Sequence, residues 1–245
     1  MGPRNTRKDA KMLFEGYGRQ LWNGTLETIQ LALLSVALAF LIGLVGAAAK
    51  LSRNLWLSLP ATIYTTLIRG VPDLVLMLLL FYSFQDWLNR LTDALNQPQI
   101  DIDPFIAGVC VLGFIYGAYF IETLRGGVLA VPKGQLEAAA AYGLTNWQVF
   151  RRVLFPQMMR FALPGISNNW QVILKATALV SIIGLPEVVR AAQDAITGTS
   201  SKGAYHAFFF LAVAGLIYLV LTTFSNLAFL ALERHYSVGI RRSEL

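Results

Sequence analysis

Val131-Pro-Lys-Gly-Gln-Leu-Glu-Ala-Ala-Ala-Ala-Tyr-Gly-Leu-Thr-Asn-Trp-Gln148, running on through Arg151-Arg-Val-Leu-Phe-Pro156, is a long polar interruption in a chain whose flanks are apolar. Pro132 suits a helix start, where its missing N–H costs nothing. Glu137 to Tyr142 is a predicted short helix of small side chains, and Gly143 can take the left-handed conformation that ends it. Thr145 and Gln148 fit a capping box, so a second helix starts at once and runs to the region of Pro156. The product is a compact helix–turn–helix whose alanine-rich face admits another backbone. An ordinary loop helix between two spans is the plainer reading of the same residues.

On either side of this stretch the composition is that of a membrane protein. Of 245 residues, 56% are hydrophobic and only 14% charged, and the mean hydropathy is +0.55. A soluble domain has roughly a quarter of its residues charged. Cys110 is the single cysteine, which excludes an internal disulfide and a cysteine-built zinc site. The net charge of +6 is better assigned to cytoplasmic loops than to nucleic-acid binding.

A span needs about 20 mostly apolar residues. Five candidates satisfy this, at about Thr25–Ala49, Leu59–Phe84, Phe105–Leu124, Leu163–Leu185 and Ala204–Leu232. In the first, Ala39, Gly43 and Ala47 form a small-residue stripe that lets a neighbouring helix approach. In the second, Pro72 predicts a kink, with Arg69 and Asp73 placed to pair on one helical face. Residues 1–11 are polar and basic without an apolar stretch behind them, so they are no secretory signal. They are expected to be an N-terminal extension, disordered or non-native, ahead of one transmembrane domain over 12–245.

Loop charges orient the spans. Lys50 and Arg53 stand without an acid in 50–57, and Arg125, Lys133, Arg151, Arg152 and Arg160 face only Glu137 in 125–164. The segment 85–103 is acidic, with Asp86, Asp93, Asp101 and Asp103 against Arg90, and 186–203 is balanced. The tail carries Arg234, Arg241 and Arg242 against Glu233 and Glu244. Placing the basic loops and the tail in the cytoplasm leaves the N-terminus outside. The basic residues Arg4, Arg7, Lys8, Lys11 and Arg19 run against that placement.

Catalytic patterns are missing. There is no phosphate-binding Gly-x-x-x-x-Gly-Lys-Ser/Thr loop and no His-Glu-x-x-His, and Gly165-Ile-Ser-Asn-Asn169 lacks the closing glycine of a nucleophile elbow. What stands out are polar residues inside apolar spans, which are costly there and face a partner helix or a water-filled path. Glu122 either pairs with Arg125 or lines a path. Asn168, Asn169, Gln171, Lys175 and Thr177 are the densest such set, and Asn168, Gln171 and Lys175 share a helical face. Helix–helix hydrogen bonding is one reading of them, and a lining for a zwitterionic solute is the sharper one. A buried Lys175 would need an acid, with Glu122, the solute carboxylate or a partner's acid as candidates.

Glu137-Ala138-Ala139, Gly143, Val153, Phe155 and Pro156 at their spacing resemble the loop of binding-protein-dependent ABC importer permeases that docks on the ATPase. Tyr64–Leu78, Gly113–Phe120, Val131–Gly134 and Leu163–Ser181 are similar to polar amino acid permeases, specifically those of bacterial histidine/lysine–arginine–ornithine importers. The similarity runs from about Leu13 to the C-terminus. It implies an all-α integral membrane protein with five transmembrane helices in the type I ABC importer permease fold, seated in the bacterial inner membrane. The N-terminus would be periplasmic and the C-terminus cytoplasmic. A second homologous permease, a cytoplasmic ATPase dimer carrying ATP and Mg, and a periplasmic amino acid-binding protein would be its partners, with no cofactor on this chain. The loop at about 130–160, through Glu137, Ala138, Ala139 and Gly143, would couple the ATPase to import of basic amino acids. A scaffold or receptor that recruits a cytoplasmic protein without transporting is the alternative. A secondary carrier is a third option, limited to Glu122, Asp73 and Asp194 as ion sites.

Overall fold

The computed structural model describes residues 6–199 and 204–236, and its long elements are all helices. They are α1 (Thr6–Leu51), α2 (Leu55–Gly70), α3 (Asp73–Ala94), α4 (Pro104–Leu129), α5 (Lys133–Ala141), α6 (Asn146–Val149), α7 (Phe155–Ala176), α8 (Val188–Gly198) and α9 (Ala204–Tyr236). Three helices are long and apolar enough to cross a membrane, over Gly16–Leu51, Pro104–Leu129 and His206–Arg234. Two bent pairs, α2 with α3 and the α7 segment with α8, bring the number to five if each pair is one span. Residues 6–11 belong to α1, where the sequence is read as a disordered or non-native extension. Arg4, Lys202, Arg241, Arg242 and Glu244 lie outside the described residues.

α1 and α4 make the most extensive helix–helix contact. Lipid is as apolar as a helix flank, so packing in a membrane rests on close approach rather than on expulsion of water. The predicted small-residue stripe supplies it: Ala39, Gly43 and Ala47 are all buried. A Cβ on Gly43 would stand 2.6 Å from Cβ of Phe120 and 3.2 Å from its backbone carbon. The contact is reciprocal, for Ile42 of α1 fills the space that Gly117 leaves on α4. A central apolar cluster, including Leu31, Met77, Leu112, Ile115 and Ile173, joins α1, α3, α4 and α7. A separate one, built on Leu21, Val188, Ala192, Phe210 and Ala214, joins α1, α8 and α9. A third, of Ala47, Leu124, Val131, Met158 and Ala162, lies between α1, α4 and α7 and includes the residue that leads into α5.

The kink expected at Pro72 is a full break. Val71 precedes a proline and is held extended (φ −117°, ψ 142°), and Pro72 is extended too, so α3 leaves α2 at 113°. Arg69 and Asp73 therefore share no helical face and make no ion pair. Asp73 instead accepts from the Tyr116 hydroxyl at 2.7 Å, and the Arg69 guanidinium lies 5.5 Å over the Tyr119 ring. The helix expected to end near Pro156 goes on. A π-helical turn over Phe150–Leu154 widens the backbone just ahead of Pro156, which then sits in the first turn of α7 where its absent N–H is harmless. The fourth span thus starts earlier than Leu163. It tightens to a 3₁₀ segment over Thr177–Ile183 and stops at Gly184, whose φ of +100° suits glycine.

Glu187 restarts the chain after that stop. It is fully buried and caps α8, its carboxylate accepting the N–H groups of Val189 and Arg190 at 2.9 Å each. The Tyr218 hydroxyl of α9 donates to it at 3.0 Å and also meets Thr177 Oγ1 at 3.1 Å. Backbone of Glu187 presses on α1, where a Cβ on Gly24 would come within 2.9 Å. One side chain thus ties α8 to α9 at the bend.

Two stability outcomes follow, both read by thermal denaturation of the purified protein. Gly43→Ala should cost about 1–3 kcal/mol through overpacking against Phe120, whereas Gly126→Ala, with open space at its Cβ, should be neutral or slightly stabilising. Tyr218→Phe should cost about 1–3 kcal/mol by leaving the buried Glu187 carboxylate one donor short. Equal melting of Gly43→Ala and Gly126→Ala would contradict the α1–α4 packing described.

Candidate functional site

Two polar regions carry the residues singled out in the sequence. The first is the helical turn after α5. The Leu144 N–H bonds the Ala139 carbonyl at 3.2 Å and the Gly143 N–H bonds Ala140 at 2.9 Å, the paired closure of a Schellman motif. Gly143 has a φ of +79°, as that closure requires. Thr145 then caps α6, with the predicted capping box complete: Gln148 N–H donates to Thr145 Oγ1 and Thr145 N–H to Gln148 Oε1. The two helix ends are thereby satisfied within a tight turn, which makes it rigid without outside support.

Of the four residues expected to form a docking surface, Glu137, Ala138 and Gly143 are exposed and Ala139 is buried. Ala140 and Ala141 are exposed beside them. α5 begins at Lys133, four residues before the predicted Glu137 start, with Pro132 as its N-terminal cap. Tyr142 is 86% exposed and Trp147 65% exposed, and Trp147 stacks on Phe150 with ring centroids 5.5 Å apart. Arg151 and Arg152 are exposed on the following π turn. Exposed small residues, two exposed aromatic rings and two exposed arginines thus lie along this helix–turn–helix.

The second region comprises the polar residues of the spans, and the structure divides them. Asn169 donates to Thr123 Oγ1 of α4 at 3.0 Å. Gln171 donates to the Thr222 carbonyl of α9 at 3.1 Å, and Thr177 is buried against Tyr218. These three make interhelical hydrogen bonds. Asn168 and Lys175 are exposed and Gln171 is half-buried. Lys175 makes no ion pair with Glu122.

Glu122 has other partners. Its Oε2 receives Arg125, at 3.0 Å from Nε and 2.9 Å from a terminal nitrogen, and its Oε1 receives Lys50 Nζ from the last turn of α1. Lys50 also donates to Thr65 Oγ1 of α2 at 2.8 Å. Lys50, Thr65, Thr66, Arg69, Gly70, Tyr119 and Glu122 line one cavity of about 430 Å³. Sequence reasoning recognised Lys50 only as a loop cation. Its place beside Glu122, 72 positions away, follows from the α1–α4 packing and has no local signal. Asp73 with Tyr116 was missed for the same reason.

Comparison with known proteins places this geometry. The chain is 60% identical to the histidine/lysine/arginine/ornithine transport system permease protein HisQ of Salmonella typhimurium, over 94% of this chain and 99% of that one. It is 58% identical to HisQ of Escherichia coli K12 over the same shares. The nopaline transport system permease protein NocQ of Agrobacterium fabrum is 40% identical, over 92% of this chain and 94% of that one. Among solved structures, an amino acid ABC transporter determined with histidines superposes with a TM-score of 0.75 at 32% identity, covering 91% of this chain and 96% of the other. An inward-facing MetNI methionine ABC transporter shares the fold, with a TM-score of 0.70 at 18% identity and coverage of 91% and 99%. Residues 30–238 match the family model of the binding-protein-dependent transport system inner membrane component. The chain therefore belongs to that family and is a permease subunit of an ABC transport system.

Proposed function

We propose that this permease imports basic amino acids, among them histidine, lysine, arginine and ornithine, in a complex driven by ATP hydrolysis on a separate chain. The observation that carries the reading is the 60% identity, end to end, with a permease named for those four solutes. In the proposed assembly it pairs with a second homologous permease, two cytoplasmic ATPase subunits holding ATP and Mg, and a periplasmic binding protein. The turn from α5 to α6 is the ATPase contact. Its support is physical: a self-capped, rigid turn transmits displacement, and small residues let a partner's backbone approach. A cytoplasmic turn, and with it a periplasmic N-terminus, is supported by the excess of exposed cations there, Lys133, Arg151 and Arg152.

Reconstitution tests the whole reading. Proteoliposomes carrying this chain with its partner permease and ATPase should take up arginine when ATP and liganded binding protein are both supplied. Assembly with no uptake and no stimulated hydrolysis would instead identify a recruiting scaffold. The turn has its own test. A β-branched residue in the left-handed conformation costs about 1–2 kcal/mol, whereas asparagine tolerates it. Gly143→Val should therefore lower stimulated hydrolysis and uptake roughly tenfold with insertion intact, and Gly143→Asn should stay near wild type. Full transport by Gly143→Val would remove the turn from the coupling path.

A further inference from the structure

In the wall of the cavity between α1, α2 and α4, Glu122 meets two cations, Lys50 of the same lining and Arg125 one turn further along α4. Arg125 occupies Oε2 of Glu122 and Lys50 occupies Oε1, with the Lys50 and Glu122 side chains only 16% and 18% exposed. Arg125 alone would neutralise the carboxylate, so Lys50 is in excess. On the same cavity wall, Arg69 pairs with no acid among the described residues and rests over Tyr119. An anion-seeking group and an acid whose outer oxygen is held by a lysine thus face one 430 Å³ space.

We infer that Lys50 is a built-in stand-in for the side-chain cation of the solute, holding Glu122 Oε1 until a basic amino acid displaces it and sets its carboxylate against Arg69. This rests on the basic-amino-acid importer reading and assigns it a site. For Glu122 the exchange is even: one charge-assisted hydrogen bond to Oε1 replaces another, and the released Lys50 ammonium, in the last turn of α1, turns out to water. The two cations differ in how readily they leave. Arg125 grips with a planar fork, whereas Lys50 is a point charge on a flexible four-carbon stem. Lys50 also ties α1 to α2 through Thr65, so its departure removes a contact between those helices as the solute binds. Cargo in the cavity then acts differently on two arrangements of the helices, as any ligand that shifts a conformational equilibrium must.

The apparent affinity of a site falls by the fraction of time it is competent, so a stand-in present about nine-tenths of the time weakens binding about tenfold. The experiment is equilibrium binding of radiolabelled arginine, and of its uncharged analogue citrulline, to the purified permease–ATPase complex without binding protein. Lys50→Met should bind arginine about tenfold more tightly with citrulline unchanged, Lys50→Arg should gain nothing, and Glu122→Gln should lose arginine binding with Lys50 or Met at position 50. Thr65→Val removes the second acceptor of Lys50 at constant shape and should tighten arginine binding several-fold, so the inference stays testable even if Lys50→Met does not assemble. No gain in either variant, or an equal gain for citrulline, overturns the stand-in. ATP-dependent arginine uptake by the wild-type complex separates the two levels. With uptake present and no gain in the variants, only the stand-in falls, whereas absent uptake removes the importer reading and the stand-in together.

Discussion

A backbone N–H or carbonyl that faces hydrocarbon finds no water, and leaving it unpaired costs several kcal/mol. The architecture follows from that constraint. The spans are helical throughout, and each place where the helical ladder stops has a local means of closing it. At Val71 and Pro72 the chain gives up two helical residues, one of which has no N–H to lose. Ahead of Pro156 a π turn absorbs the missing donor without interrupting the rod. At Gly184 the break is wider, and there a buried carboxylate supplies acceptors for the first N–H groups of α8. These three breaks thus fall where proline, glycine or a capping acid closes the backbone.

With hydrogen bonds closed inside each helix, association between helices depends on shape and on a few polar contacts. Shape dominates along α1 and α4, where glycines on both helices accept side chains of the other. Polar contacts dominate at the edges of that pair: Asn169 with Thr123, Gln171 with Thr222, and Tyr218 with Glu187 and Thr177. Each sits where α7, α8 or α9 joins the rest. Asn169, Gln171 and Thr177, for which the sequence offered helix–helix hydrogen bonding or a solute lining, make interhelical hydrogen bonds here.

The charged residues behave differently. Lys50 and Glu122, which join α1 to α4, and Arg69 with Tyr119 also border an open space. The α5–α6 turn likewise faces outward and meets its own hydrogen-bonding needs within a few residues.

Features whose cause is local were legible in the sequence. The apolar runs marked the spans, the stripe of Ala39, Gly43 and Ala47 marked a crossing, and Gly143, Thr145 and Gln148 marked the turn, because helix capping and small-residue approach act over a few positions. The spacing around Glu137 also pointed to the family. Pro72 was legible as a disturbance, but a kink and a 113° break differ only in how Val71 is held, and that depends on α3 packing against α4. The polar site was decided by tertiary structure alone. Which cation meets Glu122, and which amides face a helix rather than a cavity, depends on the rotation of whole helices about one another. That rotation is set by side chains dozens of positions apart, so no short stretch of the chain encodes it.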